Sequence, residues 1–277
     1  MNNRKRLTVA DLRTLKGKRQ LSMLRVESLE EAAAAEQAGI DMISVPPPLL
    51  DQPGFKDAAP TIFCVTSLSY GIFATPKEYL HAAFAARRAG ADAVYCAAST
   101  RIIRRLAEEG IPVCGHAGLI PAKATWTGGF KAVGKSLETA VRVYDDVRHL
   151  EEAGAVMVEL EVVPAAVAAE ITKRTSLIVM SMGAGAGCDG QYLFATDVLG
   201  ANRGHYPRHS KTYRNFAAEF DRLQNERVNA FREFSADIAS GAYPEDRHVV
   251  GVDGTILAEL INALENHHLR ANRKEAD

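Results

Sequence analysis

Glu159 and Glu161 stand two positions apart in the run AVMVELEVV, near the middle of the chain. Side chains alternate across a strand, so both carboxylates fall on one side of it, with Glu161 at its end. A carboxylate there is either solvated or positioned to move a proton beside a carbonyl, which needs a base within reach and a tuned pKa. Glu159, one step deeper, reads equally as a buried group paired with a base. His116 follows the run IPVCG. An imidazole in that place either fixes a loop or donates a hydrogen bond to a substrate oxygen. The glycine-rich stretch from Gly183 to Gly187 has no following lysine and comes late in the chain rather than at a first strand–helix turn, which argues against a nucleotide site. Cys64, Cys96, Cys114 and Cys188 form no C-x-x-C pair, and three lie in apolar runs. They read as buried free thiols in a reducing compartment.

The elements that must position these residues announce themselves by a recurring boundary. A helical segment ends in Ala-Gly or Glu-Gly and an apolar run follows at once: Gly39 before IDMISV, Gly90 before ADAVYCA, Gly110 before IPVCG, Gly154 before AVMVELEVV. Glycine suits the left-handed position after a helix end. Short, nearly continuous Val- and Ile-rich runs are how strands of a parallel sheet buried on both faces read. Thr75-Pro76-Lys77-Glu78 is a capping box with proline at the first helical position, Ser99 and Ser136 are N-cap candidates, and Pro164 opens another helix. Strands thus alternate with helices from about Leu21 to about Ser181, which predicts an α/β fold, either a barrel or a doubly wound open sheet. Residues 212–240 carry Phe216, Phe220, Leu223, Phe231, Phe234 and Ile238 at helical spacing, predicting a core-facing stripe. Leu257, Leu260, Ile261 and Leu264 mark an amphipathic C-terminal helix, with a frayed end over HHLRANRKEAD.

The chain has 277 residues, 47% hydrophobic and 24% charged, with a formal net charge of −1. That length suits one barrel domain: an N-terminal segment over residues 1–20, the barrel over 21–250 and a helical extension over 251–277. A near-neutral charge gives no field for nucleic acid. The N-terminus has no apolar signal core and no run is long enough to span a membrane, so the expectation is a cytoplasmic protein with a small-molecule substrate.

IPVCGHAGLIPAKATWTGGFKAVGKS, residues 111–136, resembles the most recognisable segment of the ketopantoate (3-methyl-2-oxobutanoate) hydroxymethyltransferases, whose pattern is P-V-x-G-H-x-G-L-x-P followed by G-G-[YF]-[KR]-x-x-G. AGAVMVELEVVP, GAGAGCDGQ, GHYPRHSKTY, FATPKEYLHAA and SGAYP resemble further motifs in the family's order, although His209 stands where an aromatic is usual. The resemblance runs from about Lys18 to about Pro244. It implies a (β/α)8 barrel of the phosphoenolpyruvate mutase and isocitrate lyase superfamily, a homo-oligomer, and one-carbon transfer from methylenetetrahydrofolate to a 2-oxo acid. It makes Glu161 the catalytic base and His116, Lys131 and Arg208 substrate-binding candidates.

The departures cluster. The family's magnesium is held by carboxylates where this chain has Pro46, Ser67 and Ala97, and Tyr95 replaces a substrate-binding lysine. Magnesium takes oxygen ligands anchored by carboxylates, so no metal is expected at that place. An enolate there would be stabilised instead by Tyr95, Ser67, His116 or Lys131. Two alternatives stand beside this reading: a lyase or hydrolase of the wider superfamily, and a non-catalytic homologue that binds a metabolite or a partner.

Overall fold

In the computed structural model, which describes residues 5–274, eight parallel strands close into a barrel in chain order. They are β1 (Leu21–Arg25), β2 (Met42–Val45), β3 (Phe63–Leu68), β4 (Ala93–Cys96), β5 (Val113–Gly118), β6 (Met157–Glu161), β7 (Ile178–Met182) and β8 (Gly190–Phe194). The open sheet is thereby excluded, and Ser44, Cys64, Cys96, Cys114 and Glu161 all lie on strands as the sequence predicts. All four cysteines are free and buried. Burial pushes the Cys64 thiol up to about 12 and the Cys96 thiol up to about 11, which keeps both protonated and inert.

The helix starts follow the sequence reading with one exception. Thr75 and Ser136 accept from the backbone N–H three residues on, and Pro164 precedes the helix Ala165–Thr172. Ser99 is at an N-cap but makes no side-chain cap bond.

Alternate residues of each strand fill the barrel, because the pleat sends every second side chain inward. The lower tiers are apolar: Leu21, Met23, Met42, Phe63, Val65, Ala93, Cys114, Met157, Ile178 and Met180 form one cluster. Leu12, from the N-terminal helix Val9–Leu15, joins it and is fully buried.

That helix closes the bottom of the barrel, and a repeated device fastens the segment that carries it. Asp41, Asp92 and Asp189 each stand just before a strand. Each accepts a backbone N–H of a neighbouring strand, from Ser22, Cys64 and Val179 respectively. Each carboxylate is also paired with a cation of the N-terminal segment: Arg19 at 2.7 Å, Arg6 at 2.7 Å and Lys16 at 2.6 Å. A carboxylate so placed satisfies strand-end donors that have no ladder partner. With the base sealed, the opening lies at the C-terminal ends of the strands.

The chain divides into two compact units, Met1–Ala217 and Ala218–Asp277. The stripe predicted to face a core does not do so. In the helix Phe216–Ser240, Phe231 is 72% exposed, and Phe220, Leu223, Phe234 and Ile238 are exposed too. Helical periodicity records that one face is apolar; it does not say whether the same chain covers it. The helix Gly254–Lys274 likewise exposes Ile256, Leu257, Leu260, Ile261 and Leu264. It continues through most of the tail expected to fray, and residues 275–277 lie outside the described part. Among the described residues no helix is long and apolar enough to cross a membrane.

Gly190 tests the closure. It starts β8 and pairs with Leu21 on one side and Met180 on the other. A Cβ there would sit 2.7 Å from the Leu21 carbonyl oxygen and 2.6 Å from Met180 Cε. Gly190→Ala should therefore lower the urea unfolding free energy by ~1–3 kcal/mol through overpacking. Gly251→Ala, which meets nothing within 4 Å, should stay within about 0.5 kcal/mol of wild type.

Candidate active site

The uppermost inward residues of the strands are mostly polar, and with Met182 and Phe194 they line one cavity of about 460 Å³ at the barrel mouth. Arg25 comes from β1, Ser44 from β2, Ser67 from β3, Tyr95 from β4, His116 from β5, Glu159 and Glu161 from β6, and Tyr192 and Phe194 from β8. Strand register brings them level: Ser67 lies beside Tyr95, and His116 beside Glu159. Of the residues singled out by sequence, Glu161, His116, Tyr95 and Ser67 thus converge, with Ala97 at the rim. Lys131 and Arg208 are exposed and do not line the cavity.

His116 is the hub. Its Nε2 lies 2.7 Å from the Leu119 carbonyl oxygen, which can only accept, so Nε2 carries a hydrogen. The same nitrogen is 3.3 Å from Glu161 Oε2 and so steadies that carboxylate. Nδ1 lies 2.6 Å from the Tyr95 hydroxyl. With a neutral ring, Tyr95 donates to Nδ1. With a protonated ring, Nδ1–H donates to the Tyr95 oxygen and frees the phenol hydrogen for the cavity. Desolvation alone would lower the His116 pKa, but the charges of Glu159 and Glu161 and the hydrogen bonds at Glu161 and Leu119 outweigh it and raise it. Burial pushes the Tyr95 hydroxyl far up, so it is a donor and never a phenolate at ordinary pH.

Glu159 is 8% exposed and makes no hydrogen bond through its carboxylate among the described residues. Burial, with the nearby charge of Glu161, pushes its pKa up to about 7 against the pull of His116 and Arg25. Two carboxylates on one strand in a low-dielectric cavity cannot both ionise cheaply, and the Glu159 carboxyl is held toward its protonated form.

The backbone around Glu161 is held under strain. Val162 has φ 48°, a left-handed conformation that β-branched residues avoid. Three ladder-type bonds hold the turn: Leu119 N–H donates to the Glu161 carbonyl, Val162 N–H to Met182 and Val133 N–H to the Val162 carbonyl. Gly118, at φ 86°, leaves room for this turn, since a Cβ there would collide with the Glu161 carbonyl oxygen. Strain of this kind gathers where a side chain has to be aimed.

Pro46, Ser67 and Ala97 offer no carboxylate, so the residues at the family's metal position do not fit magnesium, which proteins anchor through carboxylates. Elsewhere in the cavity, His116, Glu159 and Glu161 place one potential ligand atom each within 4.8 Å of one another, and both imidazole nitrogens there are already engaged.

Sequence reading did not single out Arg25, Ser44 or Tyr192. The signal for Arg25 was present, since it ends the apolar run LSML as Glu161 ends AVMVEL. His209, noted only as a departure from an aromatic, also lines the cavity. Its ring rests on Gly183, where a Cβ would be 2.8 Å from Nδ1.

The profile of a known family, ketopantoate hydroxymethyltransferase, matches residues 55–246. The chain is 31% identical to the 3-methyl-2-oxobutanoate hydroxymethyltransferase of Nitratidesulfovibrio vulgaris (strain DP4), over 95% of this chain and 92% of that protein. It is 35% identical to the enzyme of the same name from Shewanella sp. (strain ANA-3), over 66% of this chain and 68% of that protein. A phosphoenolpyruvate phosphomutase structure from Streptomyces platensis subsp. rosaceus aligns with TM-score 0.50 over 97% of this chain and 99% of that one. At 14% identity that likeness is one of fold alone.

The protonation of Glu159 can be read from stability. The folded protein keeps a proton that the unfolded chain releases above its ordinary value of 4.5, so stability falls as pH rises from there through about 7. The raised pKa of His116 acts in the same direction. Glu159→Gln should melt like wild type at pH 5 and several degrees higher at pH 8. Parallel melting curves for the two proteins across that range would show Glu159 to be ionised throughout.

Proposed function

The chain belongs to the ketopantoate hydroxymethyltransferase family, and we propose that it is a one-carbon transferase that makes a 2-oxo acid nucleophilic at the carbon beside its ketone, without a divalent cation in the family's position. The observation that carries this reading is the convergence of the Glu161 carboxylate and the His116–Tyr95 pair on one cavity at the barrel mouth. Glu161 removes the proton from the carbon next to the ketone. The charge passes to the ketone oxygen, where the Tyr95 hydroxyl, backed by protonated His116, donates a hydrogen bond. A phenol donor pre-aligned in a water-poor cavity does there what a Lewis acid does elsewhere, by holding an oxyanion that need not reorganise solvent. Ser67, beside Tyr95 in register, is the second donor within the lining.

The carbanionic carbon so formed then bonds to the one-carbon unit of methylenetetrahydrofolate, the donor the family resemblance implies; water supplies the hydroxyl oxygen, the two carbon–nitrogen bonds to that carbon break, and tetrahydrofolate leaves. The reading includes a cytoplasmic homo-oligomer. What supports the oligomer is the row of exposed apolar side chains on the helices Phe216–Ser240 and Gly254–Lys274. No specific observation favours the lyase, hydrolase or non-catalytic alternatives.

Proton exchange tests the base and the oxyanion donor separately. With 3-methyl-2-oxobutanoate in deuterium oxide, exchange at C3 is followed by NMR. Glu161→Gln keeps the shape of the side chain and loses the proton acceptor; exchange should fall by ~10²–10⁴. Tyr95→Phe removes one oxyanion donor and should cost ~10²-fold. Exchange at the wild-type rate in Glu161→Gln would reduce Glu161 to a structural group.

A further inference from the structure

A 2-oxo acid brings a negative charge into a cavity that already holds two glutamates. Among the residues lining it, Arg25 is the one with a permanent positive charge, since His116 and His209 titrate and Lys131 and Arg208 lie outside. Resting on the 2-oxo acid reading above, we infer that Arg25 and Ser44 form the subsite that receives the substrate's carboxylate.

The placement fits that role. Arg25 is the last residue of β1, level in register with Ser44 on β2 and Phe194 on β8. In a ring of eight strands, β1 stands across from β5 and three strands from β6, so the cation faces the wall that carries His116 and Glu161. A carboxylate held from β1 leaves the adjoining ketone and C3 directed toward the wall that carries Tyr95 and Glu161.

The guanidinium is prepared for a guest. Its side chain is only 17% exposed. Nε donates to Glu27 Oε1 at 2.6 Å, which fixes the plane of the group, and Nη1 lies 3.4 Å from the Ser44 hydroxyl. Nη2 makes no hydrogen bond among the described residues. Arginine binds carboxylates through two parallel N–H bonds, and the Nη1–Nη2 edge with the Ser44 hydroxyl beside it supplies such a fork. The positive charge also reaches the middle of the cavity, where it favours the ionised forms of Glu159 and Tyr192.

The stacked rings of Tyr192 and Phe194, 6.2 Å apart, line the cavity beside this subsite, with Phe194 level with Arg25 in register, and form an apolar wall for the substrate's alkyl tail.

Calorimetric titration and C3 deuterium exchange with 3-methyl-2-oxobutanoate separate this inference from the reading it rests on. Arg25→Gln should raise Kd and KM ~10²-fold, as expected for loss of a desolvated charge partner, and leave kcat within a few-fold. Arg25→Lys should recover about tenfold of that, because an ammonium restores the charge but not the fork. Exchange of 3-methyl-2-butanone, a neutral ketone of the same shape, should be the same in all three proteins, and equal melting temperatures would exclude misfolding. Unchanged Kd and KM in Arg25→Gln would overturn the subsite while leaving the enzyme reading intact. Binding that is lost in Arg25→Gln, together with a wild type that binds but exchanges nothing, would uphold the subsite and overturn the enzyme reading. No binding of 3-methyl-2-oxobutanoate by wild type would overturn the subsite.

Discussion

The barrel mouth is governed by the cost of burying charge. Glu159, Glu161 and His116 are each less than a tenth exposed, yet all three can ionise. In a low-dielectric cavity that set is tolerable only when its net charge stays small, and protons are the adjustable quantity. Burial therefore raises the pKa of the Glu159 carboxyl and of the Tyr95 hydroxyl, and the neighbouring carboxylates raise that of His116. The Leu119 carbonyl decides which imidazole nitrogen carries the fixed hydrogen. Glu161, the other carboxylate at the mouth, is positioned by the strained turn at Val162 and the cleared space at Gly118.

Groups of this kind weaken a fold, and the barrel places its compensation at the far end. Asp41, Asp92 and Asp189 each satisfy a strand N–H and a cation at once, and Leu12 plugs the interior beneath the apolar tiers. Stability gathered at the base lets the mouth carry a strained turn and a buried glutamate, in keeping with the usual exchange of stability for function at active sites.

Much of this arrangement was written in the sequence as spacing. The Gly-then-apolar boundaries located β2, β4, β5 and β6, and period-two reading put Glu159 and Glu161 on one face of their strand. The same boundaries also held the base device, since Asp41 and Asp92 each come two residues after the boundary glycine. Their role was invisible because it depends on which distant cation arrives, and Arg19 and Arg6 are 22 and 86 residues away. Arg25 went unread for a related reason: in sequence it is one cation among many, and only barrel closure turns the end of β1 toward the cavity. The apolar stripe on Phe216–Ser240 was legible as a stripe, but burial is a property of what surrounds a helix, which periodicity does not encode. Lys131 and Arg208 matched motif positions, yet motif position does not fix where a long flexible side chain ends.

Pro46, Ser67, Tyr95 and Ala97 stand at one locus, where the family resemblance implies three carboxylates and a lysine. A buried charge is stranded when its partner alone is removed, so replacements in such a group are tolerated most easily together. Ser67 and Tyr95 bring no carboxylate or ammonium into the cavity from β3 and β4. The cationic and acidic side chains that do line the mouth are Arg25 on β1, His116 on β5, Glu159 and Glu161 on β6, and His209. Of these, His116 stands in contact with Glu161 and feels the charge of Glu159, so a change of charge at any one of the three is felt by the other two.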